Sequence, residues 1–125
     1  MAKPRIRVGL TESTNFMCGT LPVPKYTDVE NGIIATDRDS GQPLNTVTLF
    51  MMEGDRAEAL KITVAKNGLP DGLKPGVFVR PVELFATPWA RIFNGSLSEG
   101  VAYRAAGLEL VAMPGMAAAG ADKAA

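Results

Sequence analysis

The sequence predicts an all-β fold, a small five-stranded barrel that closes on a long terminal hairpin. Three observations predict it: apolar and polar residues alternate in several runs, glycine and proline separate the runs, and no run before the alanine-rich tail has the period of a helix. The chain has 125 residues, close to the usual size of one cooperative unit. We therefore predict one domain with a modest core.

The barrel is predicted between residues 29 and 114, after an extended basic arm over residues 1–28. Three prolines and Gly19 are among the residues that interrupt the arm, so it should hold at most one short strand, around Ile6 to Leu10. Residues 115–125 are rich in alanine and glycine without a periodic apolar pattern. A mobile tail is expected there.

The barrel opens on a strand and a turn. Val29 to Thr36 carries β-branched residues around Gly32, which predicts a strand with a bulge or a close contact at the glycine. Asp37 to Pro43 supplies turn residues and should begin a hairpin. Its two aspartates could hold a divalent cation, but the arginine between them and the following Ser-Gly favour an Asx-type turn.

The next two strands alternate clearly. In LNTVTLFMM, Val47 and Leu49 belong to one face, and in ALKITVAK, Ile62 and Val64 do the same. The EGDR sequence between the runs predicts a tight turn. Lys61 falls on the opposite face of its strand and should point outward from the barrel wall.

The last two strands follow an irregular connection. Asn67 to Gly76 has three glycines and two prolines, so it should be a loop or a single helical turn. Val77 to Phe85 is the fourth strand, where Pro81 predicts an edge position or a bulge. Thr87 to Glu99 is then a long hairpin tip, and Gly100 to Val111 is the last strand, with a bulge expected at its internal glycine.

The composition argues against an enzyme. The sequence has no histidine and a single cysteine, so it lacks the usual general base, the commonest metal ligand and a cysteine zinc site. It also has no GxxxxGK phosphate loop, and no cofactor is predicted. Cys18 is expected to pack as a small hydrophobe, the alternative being a reactive thiol. The lone cysteine, the missing signal peptide and the missing membrane span predict a cytoplasmic protein.

The charges cancel in sum but not in distribution. The chain has 13 basic and 13 acidic residues. The region from Asp28 to Glu58 has seven acids against two arginines, whereas the first 25 residues and the region after Glu58 are mainly basic. One positive face is therefore expected from the arm and the later strands. The alternative is a solvated surface on which basic and acidic side chains are interspersed as ion pairs.

The aromatic residues cluster in one hairpin. Phe85 to Phe93, FATPWARIF, contains the only tryptophan, Trp89, together with Arg91, and Tyr103 and Arg104 lie on the returning strand. Aromatic rings stack on unpaired bases of any kind, and arginines meet phosphates or stack themselves. The alternative is that these rings pack against each other or against a second subunit.

Four short blocks have a recognisable order and spacing: Gly41 to Pro43, Lys61 to Thr63, Pro75 to Phe78 and Leu108 to Val111. Together they resemble the filamentous-phage single-stranded-DNA-binding proteins and their relatives on plasmids and integrative elements. The resemblance implies an OB-type barrel that dimerises through its terminal hairpin and binds single strands cooperatively, without marked sequence preference. It also implies DNA contacts by Arg38 and Lys61 and base stacking by Phe93 or Trp89. Leu44 stands where the family has an aromatic residue, and the surroundings of Arg38 are more acidic.

The sequence therefore predicts a non-enzymatic, largely sequence-independent protein that binds single-stranded DNA or RNA, forms a homodimer and has no membrane contact. The alternative is a protein-interaction module of a replication or transfer complex that uses the aromatic hairpin as its binding surface. The predicted nucleic-acid-binding residues are Arg38, Lys61, Arg80, Trp89, Arg91, Phe93, Tyr103 and Arg104.

Overall fold

The structure, a computed structural model, describes residues 5–112. Within them the all-β prediction is confirmed. The strands are β1 (Ile6–Arg7), β2 (Asn15–Cys18), β3 (Val23–Pro24), β4 (Tyr26–Asp28), β5 (Ile33–Ile34), β6 (Leu44–Glu53), β7 (Arg56–Ala65), β8 (Phe78–Phe93) and β9 (Ser96–Val111). The tail predicted at residues 115–125 lies outside the described residues.

Five strands form a closed ring of paired strands. In order around the ring they are β2, β6, β7, β9 and β8, and β8 pairs with β2 again. The pairs are antiparallel except β7 with β9, which run parallel from Ile62↔Tyr103 to Val64↔Ala105. Ring closure occupies both edges of each strand over part of its length, so within the ring these edges cannot pair with other chains.

The core fills the ring, and the predicted alternation of β6 and β7 is confirmed. The core residues are Phe16, Cys18, Val47, Leu49, Ile62, Val64, Val79, Leu84, Ala105 and Leu108. Lys61 is exposed on the outer face, as predicted. The two strands turn through Gly54, whose φ of 60° suits the first position of a two-residue hairpin turn.

The prediction of at most one short strand before residue 29 is wrong. β2 lies between β6 and β8 and places Phe16 and Cys18 in the core. The physical reason is that the ring closes only when a strand fills the gap between β6 and β8. Burial raises the pKa of the Cys18 thiol, whose Sγ donates to Thr20 O at 3.0 Å, in agreement with a packed and unreactive cysteine.

The region before β6 corrects one prediction and confirms another. Instead of a strand from Val29 to Thr36, the chain forms a β4–β5 hairpin whose turn includes Gly32, at φ 68°. The Asx-type turn is confirmed, because Asp37 Oδ2 accepts hydrogen bonds from Ser40 N at 3.1 Å and Ser40 Oγ at 2.7 Å.

The predicted long hairpin tip from Thr87 to Glu99 is wrong, because nearly all of it is paired strand. β8 and β9 have 16 residues each and stay in register out to Phe93↔Ser96. The turn consists of Asn94 and Gly95, at φ 52° and 78°, as in a type I′ hairpin. The two strands therefore form a ribbon that extends beyond the ring.

The middle of β8 departs from regular strand geometry. On this edge of β8, pairing with β2 ends at Val79 and pairing with β1 begins at Phe85. Pro81 lies between these two segments, where its missing N–H leaves no ladder hydrogen bond unmade. Glu83 has φ 52°, a left-handed conformation that costs a non-glycine residue roughly 1–2 kcal/mol. At Glu83 the inward-facing positions of β8 change from the odd-numbered Val79 and Pro81 to the even-numbered Leu84.

The connection between β7 and β8 is irregular, as predicted, with one 3-10 turn at Lys66–Gly68. Gly107 was predicted to be a bulge, but it stays in register with Val82. It is instead a close approach, because a Cβ on Gly107 would lie 3.0 Å from Gly68 O. Small residues at both positions let this turn pack on β9.

Candidate nucleic-acid interface

The outer face of the ring has a groove of about 750 Å³. It is lined by the turn that starts at Asp37, by β8 and β9, and by the residue that precedes β1. The charged and aromatic lining residues are Arg5, Arg38, Arg104, Asp37, Asp39, Glu83 and Phe85. The groove thus combines three arginines, three carboxylates and one aromatic ring.

One row of cross-strand neighbours explains how the arginines come to lie beside the aromatic side chain of Phe85. Arg7 pairs with Phe85, Phe85 with Arg104, and Arg104 with Thr63. Directly paired residues point to the same face of a sheet, so arginines flank the aromatic ring on both sides. The guanidinium of Arg5 lies 4.4 Å from the Phe85 ring centroid and that of Arg7 lies 6.0 Å away, which permits cation–π attraction.

Arg104 is also tied to the turn above it. Its Nη2 donates to Asp37 Oδ1, while the other oxygen of that carboxylate accepts from Ser40. The hydrogen bonds from Ser40, together with the Arg104 guanidinium, lower the pKa of Asp37 to about 2. The Arg104 side chain remains 43% exposed.

Two lysines extend the positive surface across β7. Lys25 Nζ donates to Thr63 Oγ1 at 3.2 Å, which places this ammonium on the outer face. Lys61 lies two residues before Thr63 on the same strand, and therefore on the same face, where it is exposed. Cations spread over neighbouring strands can follow a chain of phosphates.

The outer face continues along the ribbon, where we call it the aromatic face. It consists of Phe85, Thr87, Trp89, Arg91 and Phe93 of β8, with Ser96, Ser98, Gly100, Ala102 and Arg104 opposite them on β9.

On the aromatic face the rings lie over small partners. Trp89 covers Gly100, since a Cβ there would lie 2.9 Å from the indole ring. The Arg91 guanidinium lies 5.1 Å from the Trp89 ring centroid. Phe93, at the end of the row, is 72% exposed. The row therefore offers accessible rings and a cation to a flexible ligand.

The opposite side of the ribbon, which we call the aliphatic face, has different chemistry. It consists of Ala86, Pro88, Ala90 and Ile92 of β8 and Leu97, Glu99, Val101 and Tyr103 of β9. Ile92 is 74% exposed and Leu97 63% exposed. Apolar side chains of both strands are therefore exposed on this face next to the turn.

The structure brings together six of the eight predicted site residues. Arg38 and Arg104 line the groove, Lys61 lies on the same outer face, and Trp89, Arg91 and Phe93 follow one another on the aromatic face.

The other two predicted residues have structural contacts. Arg80 Nη2 donates to Thr11 O at 3.2 Å and its Nη1 to Thr14 O at 3.4 Å, so it holds the loop that leads into β2. Tyr103 points to the aliphatic side and packs against the core.

Two residues that line the groove, Phe85 and Arg5, and a third beside it, Arg7, were not among the predicted site residues. Phe85 shares the even spacing of Trp89 and Phe93 along β8, and this period-2 pattern could have identified it. Arg5 and Arg7 share a face with each other by the same rule. No sequence signal, however, pairs the two-residue β1 with β8, so their position beside Phe85 could not be predicted.

No protein-family model matches the sequence, and no curated protein matches it either. Residues 5–112 contain no helix with the length and apolar character needed to cross a bilayer. In the same part of the chain, no three His, Cys, Asp or Glu side chains are grouped as metal ligands would be. The function is therefore inferred from the geometry of the groove and the ribbon.

Proposed function

We propose that this protein is a non-enzymatic single-stranded-DNA-binding protein. The observation that carries the proposal is the continuity of the aromatic face with the cationic outer face of the ring. Proteins that bind single strands without sequence preference combine a positive path for the backbone with aromatic rings on which bases stack. Phe85, Trp89 and Phe93 are the candidate rings, and Arg104 and Lys61 begin the path.

The mechanism has two stages. Cations on the outer face attract the phosphate backbone, and this step releases condensed counterions from the nucleic acid. Bases then stack on the exposed rings of the ribbon, each for roughly 1–3 kcal/mol. Trp89 and Phe93 are four residues apart on one strand, about 13 Å at strand rise, so their rings can engage different nucleotides.

We also propose that the ring is an OB-type barrel. Numbered along the chain, its strands are ordered one, two, three, five, four, and strands three and five are parallel. OB folds bind oligonucleotides on the face of strands two and three and with the loops that join strands one to two and four to five. Here those loops correspond to the segment with the Asp37 turn and to the ribbon, which border the groove.

The resemblance to phage and plasmid single-stranded-DNA-binding proteins supports the same ligand. It assigns base stacking to Phe93 or Trp89, and both lie on the aromatic face. A phage, plasmid or integrative-element role in the cytoplasm belongs to this proposal.

The proposal includes a homodimer formed through the aliphatic face. Ile92, Leu97 and Val101 expose apolar side chains on the side of the ribbon that carries no arginine. A two-fold pairing of this face with its copy would bury these side chains and leave both aromatic faces open.

The second candidate function is a protein-interaction module of a replication or transfer complex. The observation that favours it is the charge balance of the groove, where Asp37, Asp39 and Glu83 accompany three arginines. Tryptophan and arginine also dominate protein interfaces, so the aromatic face suits a protein partner as well.

The deciding experiment is fluorescence anisotropy of a labelled oligo-dT, titrated with protein at a series of salt concentrations. Four phosphate contacts on a single strand predict a log–log salt slope near −3, from about −0.7 per contact. A duplex of the same length is the control and should bind more weakly. Absence of binding, or affinity that is indifferent to salt, would reject the proposal in favour of the interaction module.

A further inference from the structure

Arg104 lines the groove at the start of the aromatic face, and a carboxylate of the same chain already pairs with it. It stands beside Phe85 on the floor of the groove, and the carboxylate of Asp37 accepts its Nη2. A guanidinium binds carboxylates and phosphates with the same fork of donors. Asp37 and an incoming phosphodiester therefore compete for one binding partner.

The carboxylate is held in place by its own turn. Ser40 donates to Asp37 through both its backbone N, at 3.1 Å, and its Oγ, at 2.7 Å. Two backbone interactions hold the turn itself: Asp37 N donates to Gln42 O at 2.8 Å, and Thr36 forms an antiparallel β-bridge with Pro43. The carboxylate is thus a fixed part of the groove, with one oxygen bonded to Ser40 and the other to Arg104.

We propose that Arg104 is the phosphodiester-binding site of the groove and that Asp37 occupies it in the free protein. This inference rests on the proposed function. On binding, a backbone phosphate replaces Asp37 as the partner of Arg104, and one ion pair is exchanged for another. The net gain at this contact is small, so a ligand must also gain from cations such as Lys61 and from stacking. The groove consequently favours a single-stranded polyanion over an isolated phosphate.

The test compares two single substitutions, Asp37→Asn and Asp39→Asn, in the full chain. Asparagine at position 37 keeps a side-chain oxygen that can accept from Ser40, but it removes the charge that holds Arg104. Asp39→Asn removes the same charge from the same groove, and no Asp39 hydrogen bond to Arg104 is present among the described residues. The difference between the two variants therefore isolates the release of Arg104.

Binding of labelled oligo-dT should be about fivefold tighter for Asp37→Asn at low salt, the equivalent of about 1 kcal/mol for one pair of charges in water. Its salt slope should change by less than the roughly 0.7 expected for one phosphate contact, because a phosphate contacts Arg104 in both complexes. Asp39→Asn should change the affinity by about twofold or less, which is less than half of the free-energy change expected for Asp37→Asn. Arg104→Gln should weaken binding and abolish the gain from Asp37→Asn in the double variant.

Two failures are distinguishable. If the wild-type protein binds oligo-dT but Asp37→Asn binds no more tightly than Asp39→Asn, the exchange is wrong and the proposed function stands. Weaker binding by Asp37→Asn would likewise overturn it, because Asp37 would then position Arg104 for the ligand. If neither the wild-type protein nor any variant binds, the proposed function fails and the inference fails with it. Melting temperatures of the variants verify that each is folded.

Discussion

The two faces of the β8–β9 ribbon share one backbone and differ in nearly every chemical property. Toward the turn, large residues of the aromatic face stand opposite small ones: Trp89 faces Gly100 and Phe93 faces Ser96. On the aliphatic face, the pair nearest the turn consists of two large apolar residues, Ile92 and Leu97. The first arrangement lets rings lie over the ribbon with room above them, whereas the second builds a raised apolar surface.

This difference suits one hairpin to the two proposed purposes. Successive residues of a strand point to opposite faces, so a period of two separates the face proposed for base stacking from the face proposed for subunit packing. A slip of one residue in register would exchange the two faces. The Asn94–Gly95 turn fixes the register at one end and the ring fixes it at the other.

The largest effect is expected from charging the aliphatic face. Ile92→Asp with Leu97→Asp should prevent dimerisation, because each side chain contributes roughly 1.5–3 kcal/mol when buried, or about 3–6 kcal/mol together. Sedimentation velocity measures the change. The matched control is Ser96→Asp with Ser98→Asp, which adds the same charges to the aromatic face and should leave the dimer intact. Equal dissociation by both pairs would contradict the separation of faces.

Removing rings from the aromatic face should act on nucleic-acid binding instead. Trp89→Ala with Phe93→Ala should weaken oligo-dT binding by about 2–6 kcal/mol if both rings stack on bases. Anisotropy titrations measure the loss at protein concentrations above that needed for dimerisation. The control, Ile92→Ala, lies between the two on the other face and should bind almost as the wild type does. A loss no larger than that of the control would mean that the rings are packing residues.

A smaller effect separates two arginines that the sequence could not distinguish. Arg91→Gln should weaken binding by about 0.5–1 kcal/mol, because the guanidinium beside the Trp89 ring would contact the phosphate of the stacked nucleotide. The salt slope should also become shallower by about 0.7. Arg80→Gln should instead lower the melting temperature and leave the salt slope unchanged, since Arg80 holds the loop at Thr11 and Thr14. The reverse pattern would assign Arg80 to the ligand.

The smallest effect concerns acid stability. The pKa of Asp37 is lowered from 3.8 to about 2, so its stabilising contribution is complete above pH 3.8 and is lost as the pH falls toward 2. Asp37→Asn should therefore lower the melting temperature slightly above pH 3.8 and flatten its fall between pH 3.8 and 2, so that the two proteins converge near pH 2. Thermal melts followed by circular dichroism measure it. An identical acid limb in both proteins would contradict the Asp37–Arg104 pairing.

The fold was predictable from sequence where alternation runs long enough. β6 and β7 each have 10 residues, and Val47, Leu49, Ile62 and Val64 were assigned inward correctly. β2 has only four residues, too few to show a period, although Phe16 is at the centre of the core. The position of β2 depends on long-range closure of the ring, which a local sequence pattern cannot predict.

The ribbon and the site were predictable only in part. Pro88 and the serines after the Asn-Gly pair favoured a loop, but that pair is itself the hairpin turn, and its flanking residues remain paired. The aromatic row follows from period two once the strand is known. The composition of the groove could not be predicted in this way, because Arg5 and Phe85 meet only through the β1–β8 pairing. Nothing in the sequence marks the left-handed backbone of Glu83.

The most direct test of the two-faced ribbon moves the only tryptophan from one face to the other. Wild-type protein reports on the aromatic face through Trp89, and a Trp89→Phe, Ile92→Trp variant reports on the aliphatic face. Titration with unlabelled oligo-dT should quench Trp89 emission and leave the variant nearly unchanged, whereas dilution of the protein should shift the emission of the variant alone. Quenching of the variant without quenching of Trp89 would contradict the account.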